Sequence, residues 1–208
     1  MSFEIWPYTT PGIPDNFFFT GGVPLTKEEV RCLALCKARL KKDSVVYDIG
    51  SGTGSLALES ALLAGEGTVY AVEKDGRALV ALAENIRRFG AGNVVVVAGE
   101  APEVLSGLPP ADRVFIGGSG GRFEDILRAV SSKLKDKGRL VATAVTVETT
   151  AAAVKMLPLL GFAGVEVVMV TVARVKRAGR AGVWAGANPV CIIAGEKSGG
   201  CMDGENNQ

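Results

Sequence analysis

Asp48-Ile-Gly-Ser-Gly-Thr-Gly54 decides how the rest of the chain is read. It leaves the apolar run Ser44-Val-Val-Tyr-Asp-Ile49 and enters the helical run Leu56 to Ala64. A buried strand, a glycine turn and a helix form the first half of a βαβ unit. Downstream the alternation continues. Strands are expected over Thr68–Val72, Asn93–Ala98, Asp112–Ile116 and Arg139–Val145. Helices are expected over Gly76–Phe89, with Leu79, Leu82, Ala83 and Ile86 on one face, then over Phe123–Leu134 and Glu148–Leu160. Strands joined by crossover helices imply a parallel sheet covered on both faces. The end differs: Val165–Val175 and Pro189–Ala194 read as two strands with only the basic segment Lys176–Asn188 between them. That predicts an antiparallel hairpin at the edge of an α/β, seven-stranded, mostly parallel sheet. The plan is Rossmann-like.

The front of the chain holds Thr26 and, three residues on, Glu29, a capping-box spacing for a helix running to about Leu40. Pro7 to Gly22 carries three prolines and Phe17-Phe18-Phe19, which predicts an irregular arm or lid over residues 1–24. Residues 25–197 form the main domain, and Ser198 to Gln208 is polar and glycine-containing, as in a disordered tail.

Composition narrows the chemistry. No histidine occurs in 208 residues. Ser-His-Asp and Cys-His catalysis, His-ligated zinc and an imidazole base are thereby excluded, and no metal site is expected. Glycine, at 27 of 208 residues, is nearly twice its usual ~7%. Lys and Arg number 23 against 22 Asp and Glu, a net charge of +1, unlike the strong positive field of a nucleic-acid binder. Cys32, Cys36, Cys191 and Cys201 are too few for a disulfide framework and read as free cytosolic thiols. No opening signal peptide and no apolar run of ~20 residues is found, so a cytoplasmic protein with no membrane partner is expected.

The glycine spacing G-x-G-x-G of Gly50, Gly52 and Gly54 differs from the G-x-G-x-x-G of dinucleotide sites. With an acid, Asp48, on the preceding strand, it suits S-adenosylmethionine (SAM), and by analogy the strand plan is that of the Rossmann-like class I methyltransferases. Free N–H groups of the loop can meet the carboxylate of the ligand and Asp48 its ammonium. A nicotinamide site and a plain structural turn are the alternatives. Glu73 ends the second strand, where an acid accepts hydrogen bonds from both ribose hydroxyls; a solvated pair with Lys74 is the simpler reading. Gly99-Glu100-Ala101-Pro102 follows the third strand, where methyltransferases of this fold frame adenine. Gly117-Gly118-Ser119-Gly120-Gly121 follows the fourth, facing the transferred methyl, with room for something broad and flat or simply for a surface loop. Arg174-Val-Lys-Arg-Ala-Gly-Arg180 carries four cations in seven residues, suited to a polyanionic substrate or to solvent.

Taken with Gly12-Ile-Pro-Asp15, Leu25 to Arg31, Phe115 to Gly121, Ala144-Val-Thr-Val-Glu-Thr149 and Asn188-Pro189, these pieces resemble the precorrin and cobalt-precorrin C15-methyltransferases of cobalamin biosynthesis, the CbiT family. The resemblance runs over residues 12–197. It implies SAM as co-substrate, held by Thr26, by Gly50, Ser51, Gly52, Thr53 and Gly54, and by Glu73 and Ala101. It implies methylation of carbon 15 of a tetrapyrrole with decarboxylation of the ring C acetate, in a homotetramer. A reduced tetrapyrrole is an enamine-like nucleophile, so placement rather than a strong base carries the reaction. Asp15, Glu148 and Arg174 are candidates for substrate handling. A tRNA or protein methyltransferase and a non-catalytic SAM-binding protein are the competing readings.

Overall fold

The computed structural model describes residues 6–199. The glycine turn lies where the sequence places it, between β1 (Val45–Ile49) and α2 (Ser55–Leu63), after a first helix α1 (Glu28–Ala38). The chain then alternates through β2 (Thr68–Glu73), α3 (Gly76–Phe89), β3 (Val94–Ala98), β4 (Ala111–Ile116), α4 (Phe123–Lys133), β5 (Leu134–Ala144) and α5 (Val147–Leu159). Four further strands close it: β6 (Phe162–Val170), β7 (Ala173–Ala178), β8 (Ala181–Gly186) and β9 (Val190–Lys197).

Seven strands form one sheet in the order β3-β2-β1-β4-β5-β9-β6. Only β9 runs against its neighbours, pairing antiparallel with both β5 and β6. The expected edge hairpin is therefore present, with its second strand inserted inside the edge. Its extent needs correcting: β6 stops at Val170, and Ala173 begins a separate two-stranded sheet, β7 with β8. The basic segment expected as a loop is most of that hairpin. Gly179-Arg180 makes its two-residue turn, with Gly179 at φ +62°.

Helices α4 and α5 cover one face through Ile126, Leu127, Val130, Ala153 and Leu157. The other face is covered by α1, α2 and α3 through Val30, Ala34, Leu56, Ala61 and Leu82. Helix α3 starts on Asp75, whose carboxylate accepts from the N–H groups of Arg77 and Ala78 at 3.0 Å, and ends on left-handed Gly90. Its buried stripe is Ala78, Ala81, Leu82, Asn85 and Phe89, so Ala83, expected inside, faces solvent. The rotation follows from Asn85, a polar residue that belongs in the interior.

Helix α1 also differs from expectation. Its N-cap is Lys27, not Thr26, and no side chain of the cap bonds the helix. The orphan N–H of Glu28 is met instead by Asp15, 3.0 Å away, from the short 3-10 turn Asp15–Phe17. The arm is thus pinned: Ile13 and Phe18 are buried with Leu58 and Phe89. Cys201 and the tail expected from Ser198 onward lie outside the described residues from residue 200. No helix among the described residues is long and apolar enough to cross a membrane.

Candidate active site

The carboxyl ends of β1, β2 and β4 open onto a cavity of about 550 Å3. Its floor is the Asp48–Thr53 turn; Glu73 stands on one side, Gly117 and Thr143 on another, and the segment Gly22–Lys27 forms a wall. A smaller recess of about 170 Å3, sharing Gly50 and Glu73 with the first, continues between Gly99–Ala101 and Gly118–Gly120.

The two glycine loops touch backbone to backbone. Gly117 and Gly118 donate to the carbonyl of Ile49 at 2.9 and 3.4 Å. A Cβ on Gly50 would stand 2.5–2.7 Å from backbone atoms of Gly118, so glycine there serves loop contact as well as a φ of +72°. Gly54 lies behind the cavity, where a Cβ would strike Leu82 at 2.3 Å.

Glu73 is bound by the same loop. Its Oε2 accepts from the N–H of Gly52 at 2.8 Å, and Oε1 from those of Lys74 and Asp75, each at 2.8 Å. A carboxylate offers about four acceptor positions, so one is left for a ligand. Glu73 therefore holds the glycine loop in register while facing the cavity.

Asp48 is buried, and its Oδ2 has no hydrogen-bond partner among the described residues. Burial, with the nearby Glu73 carboxylate adding to it, pushes the Asp48 carboxyl up to about 7. An orphaned buried acid oxygen in a cavity wall is matched by a cationic group of a ligand.

Of the expected ligand residues, Thr26, Asp48, Gly50, Ser51, Gly52, Thr53 and Glu73 line the larger cavity. Glu100 and Ala101 line the recess, where Glu100 pairs with Lys74 at 2.6 Å. The glycine cluster is divided: Gly117 on the cavity, Gly118, Ser119 and Gly120 on the recess, Gly121 on a shallow groove with Glu148. Asp15 and Arg174 stand apart from Glu148 and line none of these spaces. They bond to one another at 3.1 Å, and Arg174 also grips Glu29. Partial burial alone would raise the Asp15 carboxyl, but hydrogen bonds from Arg31 and Arg174 outweigh it and hold it below its ordinary value.

Three residues escape sequence reasoning. Arg31, buried on α1, donates to Glu59 and Asp15 and to the carbonyls of Ile13 and Thr26. It ties the arm, α2 and the cavity wall at Thr26 into one unit. Glu59 also accepts from Gly12 N–H at 2.7 Å. Asn85 takes both backbone groups of Phe19 and donates to the carbonyl of Thr53 at 2.9 Å. Their one local signal is a polar residue within an apolar helical stripe.

The strand order and the glycine-framed cavity at the carboxyl edge define a Rossmann-like methyltransferase. Within that class the precorrin methyltransferase domain matches residues 16–197, so the chain belongs to the precorrin methyltransferase family. It is 49% identical over 191 residues to a probable cobalt-precorrin-6B C(15)-methyltransferase (decarboxylating) of Pyrobaculum calidifontis, covering 90% of this chain and 97% of the relative. Among solved structures, a precorrin-6y C5,15-methyltransferase of Geobacter metallireducens superimposes with a TM-score of 0.86 at 42% identity, over 91% of this chain and 100% of the other. Precorrin 8w decarboxylase of Methanobacterium thermoautotrophicum gives 0.82 at 38%, over 88% and 98%.

Proposed function

We propose that this chain transfers the methyl of SAM to carbon 15 of a cobalt-precorrin and removes carbon dioxide from the ring C acetate, in cobalamin biosynthesis. The observation that carries the reading is the orphaned Asp48 Oδ2 in a cavity framed by two glycine loops. It fits the ammonium of an amino-acid ligand. Glu73 takes a ribose hydroxyl on its remaining acceptor position, and Gly99–Ala101 with Gly118–Gly120 enclose the base. When bound, SAM supplies an electrophilic methyl on a sulfonium.

The chain's own task is alignment. The meso carbon of an electron-rich ring attacks without a base, so the rate depends on holding it in line with the methyl. In the second reaction the acetate carbon–carbon bond breaks and the electron pair passes into the conjugated ring. Carbon dioxide leaves and a proton takes its place. An apolar surrounding favours loss of the carboxylate charge. Neither step calls for histidine.

The working unit in this reading is a cytoplasmic homotetramer. Thiols left free at Cys32, Cys36 and Cys191 fit a reducing compartment. The β7–β8 hairpin, with Trp184 72% exposed, leaves an apolar surface to a second copy; light scattering measures the mass. The function is tested by radiolabelled methyl transfer from SAM to cobalt-precorrin-6B, with bulk tRNA as the competing acceptor. Label in the tetrapyrrole alone supports the reading, and label in tRNA alone contradicts it.

A further inference from the structure

Asp15 and Arg174, which line neither the cavity nor the recess, meet at the start of α1. Arg174 belongs to the β7–β8 hairpin, of which every residue from 173 to 186 except Ala185 is exposed. A two-stranded ribbon is marginal by itself, so its place depends on what it grips. Among the described residues, Arg174 is the one hairpin side chain hydrogen-bonded outside the hairpin. Its guanidinium forks Glu29, Nε to Oε1 at 2.8 Å and Nη2 to Oε2 at 2.6 Å, while Nη1 donates to Asp15 Oδ2 at 3.1 Å.

The three bonds converge on a helix start that has no side-chain cap of its own. Asp15 accepts from the Glu28 N–H at 3.0 Å through Oδ1, and its Oδ2 stands 3.6 Å from the Lys27 ammonium. The next residue, Glu29, is the one that Arg174 forks. Lys27, Glu28 and Glu29 are thereby held from outside the helix, and Thr26 and Lys27 line the cofactor cavity. An isolated surface ion pair contributes little, but a bidentate fork within a charge network is the exception. The guanidinium also separates two like charges. Without it, Asp15 and Glu29 repel each other across the gap between the arm and α1.

We infer that Arg174 is a positioning residue for cofactor binding, acting through Asp15 and Glu29 to hold the Thr26–Lys27 wall. The cofactor site then depends on a hairpin side chain 145 residues away from Glu29 in the chain. The inference rests on the proposed reading of the cavity as the SAM site. It moves Asp15 and Arg174 from substrate handling, their expected role on the sequence, to support of the other reactant.

The test is calorimetry of S-adenosylhomocysteine binding to the full-length protein, as a double-mutant cycle of Arg174→Ala and Glu29→Gln. The two side chains are 43% and 41% exposed, so neither change opens the core, and a stoichiometry of one ligand per chain shows that each variant folds. Arg174→Ala is expected to weaken binding about fivefold or more in the wild type. In the Glu29→Gln background the factor is smaller, because most of the fork is already gone. Unchanged affinity, or the same factor in both backgrounds, overturns the inference. Arg174→Ala protein that keeps its S-adenosylhomocysteine affinity but loses affinity for cobalt-precorrin-6B, read by visible absorbance, also overturns it and returns Arg174 to the substrate. Wild-type protein that binds no S-adenosylhomocysteine overturns the reading of the cavity itself.

Discussion

The Arg31 guanidinium and the Glu59 carboxylate meet at 2.8 Å with neither side chain exposed to solvent. One lies on α1 and the other on α2, the helix that follows the Asp48–Gly54 turn. The pair is held further by Asp15, by the carbonyls of Ile13 and Thr26, and by the Phe18 ring 4.8 Å from the guanidinium carbon. Removing Glu59 leaves the buried Arg31 with Asp15 as its remaining carboxylate and takes the acceptor from the Gly12 N–H, which costs about 1–3 kcal/mol. Glu59→Ala is expected to lose stability of that order in urea unfolding, and SAM affinity with it, because the Thr26 wall loosens. A loss below ~1 kcal/mol would show that the pair does not hold the wall.

Asn85 fastens the arm in a second place. With Asn85→Ala, both backbone groups of Phe19 and the carbonyl of Thr53 lose their partner. The expected cost is about 1–3 kcal/mol, accompanied by rapid proteolytic cutting around Phe17–Phe19. An unchanged digestion pattern would contradict the fastening.

Much of this was legible in the sequence where the signal is local. The Asp48–Gly54 turn, the α3 boundaries and the acid at Glu73 are each read from neighbours along the chain. The fastenings are not local: Glu59 lies 28 residues from Arg31, and Phe19 lies 66 from Asn85. Thr26 had a capping-box spacing, but Asp15 occupies the helix start from 13 residues away and Glu29 is drawn to Arg174. The β7–β8 hairpin was hidden because charge in Arg174–Arg180 masks the alternation that pairs Val175 with Trp184. Nothing local distinguishes a basic loop from a basic hairpin until the Gly179 turn is weighed.

Asp48 gives the protein a pH dependence of defined sign. Its ordinary value is 3.8, and burial first, then Glu73, raises it to about 7. Between those values the folded protein keeps a proton that the unfolded chain has released. Ligand-free stability therefore falls as pH rises from about 4 to about 7 and levels off above. Asp48→Asn is expected to remove this decline. In the wild type SAM binding tightens as pH rises toward about 7, because the ionised carboxylate meets the ammonium, and the variant shows no such change. Calorimetric titrations at several pH values check both; a slope retained by Asp48→Asn would place the titrating group elsewhere.

The two central glycines differ in kind. Gly50→Ala sets a Cβ against the Gly118 backbone, whereas at Gly52 the nearest atom is 3.6 Å away and only the positive φ of 56° opposes a side chain. Gly52→Ala is expected to cost about 1–2 kcal/mol and to weaken SAM binding without parting the loops, because Gly52 lines the cavity. Gly50→Ala should separate the two loops and abolish binding. Equal effects in calorimetry would remove loop contact as the reason for Gly50.

The most direct measurement is mass spectrometry of the product formed from cobalt-precorrin-6B and SAM by the full-length protein. A tetrapyrrole that has gained one methyl on carbon 15 and lost one carbon dioxide is the expected result. A ring that is methylated elsewhere, or methylated with its acetate intact after complete turnover, would contradict it.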